Sequence, residues 1–183
     1  PRGAHDDEYP DECGDGDDPE WDIDLPHLIF GAVCKGNVDV VRYIAERDSM
    51  CVNARNVYGC TPLMIAAECG HESCILALAE VGADLNQADF AGATPCWIAA
   101  EYGHESCIRA LVVEVGAIPN KADNDGVTPC YTAAQYGHES CIRALVELGG
   151  DPNQASIGGS TPCFIAAQQG HESCIRALIE LGA

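Results

Sequence analysis

The chain has 183 residues with a formal net charge of −20, from 29 acidic side chains against nine lysines and arginines. A basic groove for nucleic acid is unlike this composition, because phosphate binding needs clustered Lys and Arg. No run of 18 apolar residues and no signal-peptide core is present, so nothing points to a membrane span or a secretory leader.

Residues 1–24 hold eleven acids against Arg2 alone, a net charge of −10, and are poor in aliphatic residues. That composition predicts a disordered acidic arm, with Tyr9 and Trp21 as its large apolar side chains. Such an arm is a solvated tail, contacts a basic partner, or covers the protein's own surface. Residues 25–60 form a weak first copy of a unit that becomes clear further on. Ala32, Gly36-Asn37, Val41, Ile44 and Asn53 fit it, His27-Leu28 stand where later copies have Thr-Pro, and Arg47–Cys51 is about one residue too long.

The unit is then written four times: TPLMIAAECGHESCILALAEVGA from Thr61, TPCWIAAEYGHESCIRALVVEVGA from Thr94, TPCYTAAQYGHESCIRALVELGG from Thr128 and TPCFIAAQQGHESCIRALIELGA from Thr161. A recurrence of about 33 residues signals a stacked array. Thr before Pro starts a helix: the hydroxyl caps free N–H groups, and Pro at the first position gives up a donor that was unpaired anyway. Gly70, Gly103, Gly137 and Gly170 should end each first helix, with Ala-Ala pairs leaving room for a close second helix. Apolar residues such as Cys141, Ile142, Leu145 and Val146 then form one buried stripe. Helices this short are marginal alone, so each pair must bury its face against its neighbours.

These motifs closely resemble the ankyrin repeat over roughly residues 27–183. The resemblance implies an all-α repeat solenoid of stacked helix-turn-helix units with β-hairpin finger loops. The expected units are residues 25–60 (degenerate), 61–93, 94–127, 128–160 and 161–183 (truncated). Gly103 to Gly116 is one residue longer than Gly70 to Gly82, which places an insertion near Val112-Val113 and predicts a helical bulge or a longer last turn. The chain starts at Pro1 and stops just after a second helix, and the apolar Ile175, Leu178 and Ile179 at that end are expected to be exposed, as in a piece of a longer protein.

By the resemblance, the finger tips and the two residues after each Ala-Ala face a concave binding surface. The fingers offer Val57, Tyr58 and Cys60, then Phe90 and Ala93, then Asn124, Asp125 and Val127, then Ile157 and Ser160. The first helices offer Glu68-Cys69, Glu101-Tyr102, Gln135-Tyr136 and Gln168-Gln169. Aromatics ringed by polar groups resemble an interface hot spot, so Tyr102, Tyr136 and Phe90 head the candidate site. The function expected is non-catalytic binding of a protein partner by a monomer, without nucleic acid or membrane. The alternative is the substrate-recruiting portion of a larger enzyme or ubiquitin ligase.

Other constellations carry less. His71, His104, His138 and His171 form H-x-x-C pairs with Cys74, Cys107, Cys141 and Cys174, but a structural zinc needs four ligands and each unit offers two. No nucleophile–base order or phosphate loop is present, and no cofactor or metal is implied. Most of the twelve cysteines occupy the unit's apolar positions and read as reduced core residues of an intracellular protein, cytoplasmic or nuclear. The family's His after Thr-Pro-Leu, which hydrogen-bonds between repeats, is replaced by Met64, Trp97, Tyr131 and Phe164, and an apolar ladder is expected in place of those bonds. Asn86 and Asn153, each with Leu eight and Asp two residues earlier, are similar to ankyrin asparagines that undergo hydroxylation, although finger hydrogen bonding is the simpler role.

Overall fold

Four threonines set the architecture. The hydroxyls of Thr61, Thr94, Thr128 and Thr161 each accept a hydrogen bond from the backbone N–H three residues on, at 3.2–3.3 Å. They start α3 (Pro62–Glu68), α5 (Pro95–Tyr102), α7 (Pro129–Tyr136) and α9 (Pro162–Gln169). Each is followed by a glycine and an antiparallel second helix: α4 (Glu72–Glu80), α6 (Glu105–Arg109), α8 (Glu139–Glu147) and α10 (Glu172–Glu180). Before them lie α1 (Leu25–Cys34), α2 (Val38–Arg47) and a 3₁₀ turn over Ser49–Asn53, which takes up the long connection after Arg47. The computed structural model describes residues 25–183, so the arm expected over residues 1–24 lies outside the described residues.

The first helices stack in one layer, α1 on α3, α5, α7 and α9, and the second helices in another, α2 on α4, α6, α8 and α10. Ala66-Ala67, Ala99-Ala100 and Ala133-Ala134 are fully buried between them, where the missing side-chain bulk permits close approach. Ile75, Leu78, Ile108, Leu111, Ile142 and Leu145 fill the seam without exposure. Removing each such side chain from water contributes about 2 kcal/mol. An all-helical repeat solenoid therefore follows from the alternation of cap, alanine pair, glycine and apolar stripe.

The extra residue after Gly103 is held in one turn of π-helix, Ala110–Glu114, that continues α6. Its closing bond shows the insertion directly: Ala117 N–H donates to Leu111 O, six residues back, whereas Ala83, Gly150 and Ala183 each donate to the leucine five back. Leu111 stays buried and Val113 is turned out to solvent.

The fingers are tight turns, and none of the described residues lies in a strand. An Asx side chain holds the tips of the first three. Asn56 Oδ1 accepts from Tyr58 N and Cys60 N, Asp89 Oδ1 from Ala91 N and Ala93 N, and Asp123 Oδ1 from Asp125 N and Val127 N. A backbone bond closes each turn as well, from Asn56 N–H to Cys60 O, Asp89 N–H to Ala93 O, Asp123 N–H to Val127 O and Ser156 N–H to Ser160 O, at 2.9–3.0 Å. One backbone bond then joins each tip to the next, as from Asn124 N–H to Ala91 O at 3.0 Å.

Two expectations are corrected. Leu178 is fully buried against its own layer, leaving Ile179 as the exposed residue and Ile175 half-buried. Nor is the substituted histidine position without hydrogen bonds, because Trp97 Nε1–H donates to Val127 O, the residue before Thr128 of the next unit, at 3.1 Å. Along that row Met64 is 1% exposed and Phe164 58%, as no described repeat stacks beyond the latter.

Thr132 stands where the other copies have Ile65, Ile98 and Ile165. Its hydroxyl is buried with no hydrogen-bond partner among the described residues. Thr132→Val keeps the shape and removes the orphan oxygen, so unfolding free energy should rise by about 1 kcal/mol, measured by urea denaturation. A loss of stability would show that the hydroxyl has a partner in solution.

Candidate functional site

The sequence-selected residues lie along the fingers and the first-helix layer. Tyr58, Phe90, Tyr102 and Tyr136 are 71%, 65%, 49% and 48% exposed. Ile157, Asn124, Asp125, Gln168 and Gln169 are exposed as well, and Glu68, Glu101 and Gln135 are half-buried. Ala93 is the exception: it is buried beneath its finger and cannot meet a partner.

The fingers register these side chains by stacking. Phe90 N–H donates to Tyr58 O at 3.4 Å, and the Phe90 ring crowds the face of Gly59. The Arg55 guanidinium stands 5.6 Å from the Phe90 ring centroid and donates to Ala88 O. Asn124 Nδ2 donates to Phe90 O at 3.1 Å, and Ile157 N–H to Asp125 O at 2.9 Å. The finger asparagines bond across repeats in the same way. Asn53 Nδ2 donates to Gly82 O, Asn86 Oδ1 accepts from Ile118 N, and Asn153 Nδ2 donates to Gly182 O.

Charge concentrates where the two first-helix tyrosines sit. The Glu68 carboxylate raises the pKa of the Tyr102 phenol, and burial followed by Glu101 raises that of Tyr136. Each phenol thus lies within the electrostatic reach of a carboxylate from the preceding repeat, Tyr102 beside Glu68 and Tyr136 beside Glu101. Glu101 itself is pushed above the ordinary carboxylate range by burial, with Glu68 and Asp89 adding repulsion against the lowering effect of the Tyr136 phenol. Glu68, Asp89, Glu101, Tyr102 and Tyr136 thus form one acidic, aromatic cluster. Gln168 and Gln169 lie beyond it on α9.

The histidines serve the stack. His71, His104, His138 and His171 donate from Nε2 to Cys34 O, Glu68 O, Glu101 O and Gln135 O of the preceding repeat, at 2.9–3.1 Å. A carbonyl only accepts, which fixes the Nε2–H tautomer. The H-x-x-C cysteines are buried beneath, and burial lifts the Cys141 thiol to about 12 and that of Cys107 to about 11.

Sequence reasoning missed a ladder of ion pairs on the second-helix layer. Arg109 bridges Glu105 and Glu147, and Arg143 bridges Glu139 and Glu180, all at 2.8–2.9 Å. The signal was the Glu-x-x-x-Arg spacing within ESCIR, which puts both side chains on one helix face. In the second unit Leu76 replaces that arginine and the ladder skips a rung.

Models of ankyrin repeats match residues 22–89 and 86–156 as three-copy segments, and residues 158–183 as a single repeat. The chain belongs to the ankyrin repeat family. Ankyrin repeats in general are non-catalytic protein–protein interaction modules. The array is similar to ankyrin repeat domain-containing protein 29 of Danio rerio, 34% identical over 62 residues, covering 34% of this chain and 21% of that protein. It is also similar to ankyrin repeat and SAM domain-containing protein 6 of Mus musculus, 43% identical over 61 residues, covering 33% of this chain and 7% of that protein. The matched stretch is therefore a minor part of either relative. None of the described helices is long and apolar enough to cross a membrane.

Proposed function

We propose that this ankyrin array binds a protein partner through the finger and first-helix face, with Tyr102 and Tyr136 as anchors and no catalysis of its own. The observation that carries this reading is the pairing of two half-exposed tyrosines with Glu68 and Glu101 in successive repeats. Rigid aromatic side chains offer contact area at low entropic cost, which favours them as hot spots. The carboxylates around them suit a partner that presents Lys or Arg beside apolar side chains. Tyr58, Phe90, Asn124, Asp125, Gln135, Ile157, Gln168 and Gln169 extend the surface on either side. The array acts as a monomer, in a reducing cytoplasmic or nuclear compartment where its buried thiols stay reduced, and uses neither nucleic acid nor membrane.

A second reading, in which the array delivers a bound protein to a catalytic domain elsewhere in a longer polypeptide, draws on the much greater length of the matched relatives. The sequence of the full transcript separates the two.

The test is capture from a cell lysate with quantitative mass spectrometry, comparing wild type, Tyr102→Ala/Tyr136→Ala and Arg176→Ala on the opposite layer. A hot-spot loss of about 2 kcal/mol weakens binding about thirtyfold. The expected result is a partner kept by wild type and Arg176→Ala and lost by the tyrosine variant. Equal capture by all three, with helicity unchanged, would overturn the assignment.

A further inference from the structure

The junction of the first two repeats carries a pair of thiols in contact. Cys34 is the last residue of α1 and Cys69 follows α3, and the Cys69 thiol donates to the Cys34 sulfur at 4.0 Å. Among the described residues Cys34 is the one exposed cysteine, and Cys69 is half-buried, whereas the H-x-x-C cysteines are buried.

The stacking register brings the two sulfurs together. His71 Nε2–H donates to Cys34 O at 3.1 Å, as His104 does to Glu68 O and His138 to Glu101 O. Two residues before these histidines stand Cys69, Tyr102 and Tyr136. The clamp that sets Tyr102 beside Glu68 and Tyr136 beside Glu101 therefore sets Cys69 beside Cys34. At the first junction this row of the first-helix face holds two sulfurs in place of a phenol and a carboxylate. The contact rests on backbone and histidine positions, so it is in place before any chemistry at sulfur.

Two sulfurs fall short of the four ligands of a structural zinc, and the described residues contain no larger group of His, Cys, Asp or Glu fit to hold an ion. The pair suits thiol–disulfide chemistry better. Burial, and then the neighbouring Cys34, push the Cys69 thiol up to about 11, so it keeps its proton at neutral pH and the exposed Cys34 is the first nucleophile.

We propose that Cys34 and Cys69 form a reversible dithiol site, oxidised by low-molecular-weight disulfides such as glutathione disulfide to a bond that ties α1 to α3. The Cys34 thiolate attacks one sulfur of the small disulfide, whose S–S bond breaks. One small thiol leaves with the electron pair and takes the proton that Cys34 gave up. Cys69 then loses its proton and attacks the Cys34 sulfur of the mixed disulfide. The Cys34–Cys69 bond forms, and the second small thiol leaves and takes that proton. Two protein thiols are oxidised and one small disulfide is reduced to two thiols. The second step is intramolecular with its nucleophile already in contact, so the mixed disulfide does not accumulate. The sulfurs must close from 4.0 Å to about 2 Å, which a rotamer change at the exposed Cys34 supplies. Oxidation at this junction does not depend on partner binding at the finger face, so either can fail without the other.

The test equilibrates the full chain in glutathione buffers of rising oxidised fraction, traps thiols with N-ethylmaleimide and maps tryptic peptides by mass spectrometry. Cleavage after Lys35 and Arg55 puts Cys34 and Cys69 on separate peptides, so their bond appears as a joined pair that dithiothreitol separates. The Cys34–Cys69 pair should form before any other cysteine is oxidised, and should slow amide exchange in α1 at least about tenfold. Cys69→Ser should stop at a glutathione adduct on Cys34, and Cys34→Ser should leave Cys69 unmodified. Cys13→Ser should form the bond as wild type does. A wild-type chain that accumulates the Cys34 adduct unresolved, or that joins Cys34 to Cys13, overturns the proposal. So does a preference for the Cys34–Cys69 pair that persists unchanged in urea, because the folded register would then not select it.

Discussion

Gly103→Ala is expected to lower the unfolding free energy by about 3 kcal/mol, and Gly116→Ala by only about 1 kcal/mol, although both glycines are left-handed. Their φ values are +78° and +84°, so the backbone cost of adding a Cβ is nearly the same. The surroundings are not. A Cβ on Gly103 would stand 2.7 Å from His138 Nδ1 and 2.8 Å from its Cε1, whereas nothing lies within 4 Å of one on Gly116. The His138 ring cannot simply swing away, because its Nε2–H is bonded to Glu101 O at 2.9 Å. The excess cost measures how firmly one repeat's histidine clamps the preceding repeat's glycine. Urea unfolding followed by circular dichroism gives both values. Repeating Gly103→Ala in a His138→Ala background should remove most of the difference, as residues in contact are coupled. Equal costs for the two glycines would show that the clamp is loose in solution.

The same comparison explains what could be read from sequence. Thr128-Pro129, Ala133-Ala134 and Gly137 act within one helix, and their physics is local, so the helix pairs were legible. The π turn was legible too, since counting from Gly103 to Gly116 exposes the added residue. The finger turns were less legible, because Asn56, Asp89 and Asp123 cap them beside the backbone closures, a pairing that family likeness does not specify. Cross-repeat pairs were the least legible. Tyr102 with Glu68 and Tyr136 with Glu101 join residues 34 or 35 apart, and Arg109 with Glu147 joins residues 38 apart. Those offsets depend on how one repeat is rotated on the next, which no local pattern encodes. The exposure of Tyr102 and Tyr136 could be anticipated, but not which carboxylates would lie beside them.

Trp97→Ala should cost about 3 kcal/mol, and Trp97→Phe about 1 kcal/mol, because the indole contributes both area and a bond. Trp97 stands at the position of a histidine that would link adjacent repeats, and its Nε1–H donates to Val127 O, 30 residues on and next to Thr128 of the following unit, at 3.1 Å. Phenylalanine keeps most of the contact and orphans one carbonyl. Alanine also empties the space between α5 and the finger that leads into α7. An array of this kind is stabilised by nearest-neighbour interfaces, so weakening one of them should reduce cooperativity as well as stability. The alanine variant should therefore show a lower urea m-value, with the units before Thr94 and those after Thr128 beginning to unfold apart. Amide hydrogen exchange provides the residue-level readout: protection in α7 and α9 should separate from protection in α3 and α4 in Trp97→Ala but stay uniform in Trp97→Phe. If alanine and phenylalanine cost the same, the hydrogen bond outweighs the packing, and the row of Met64, Trp97, Tyr131 and Phe164 is not an apolar ladder at this rung.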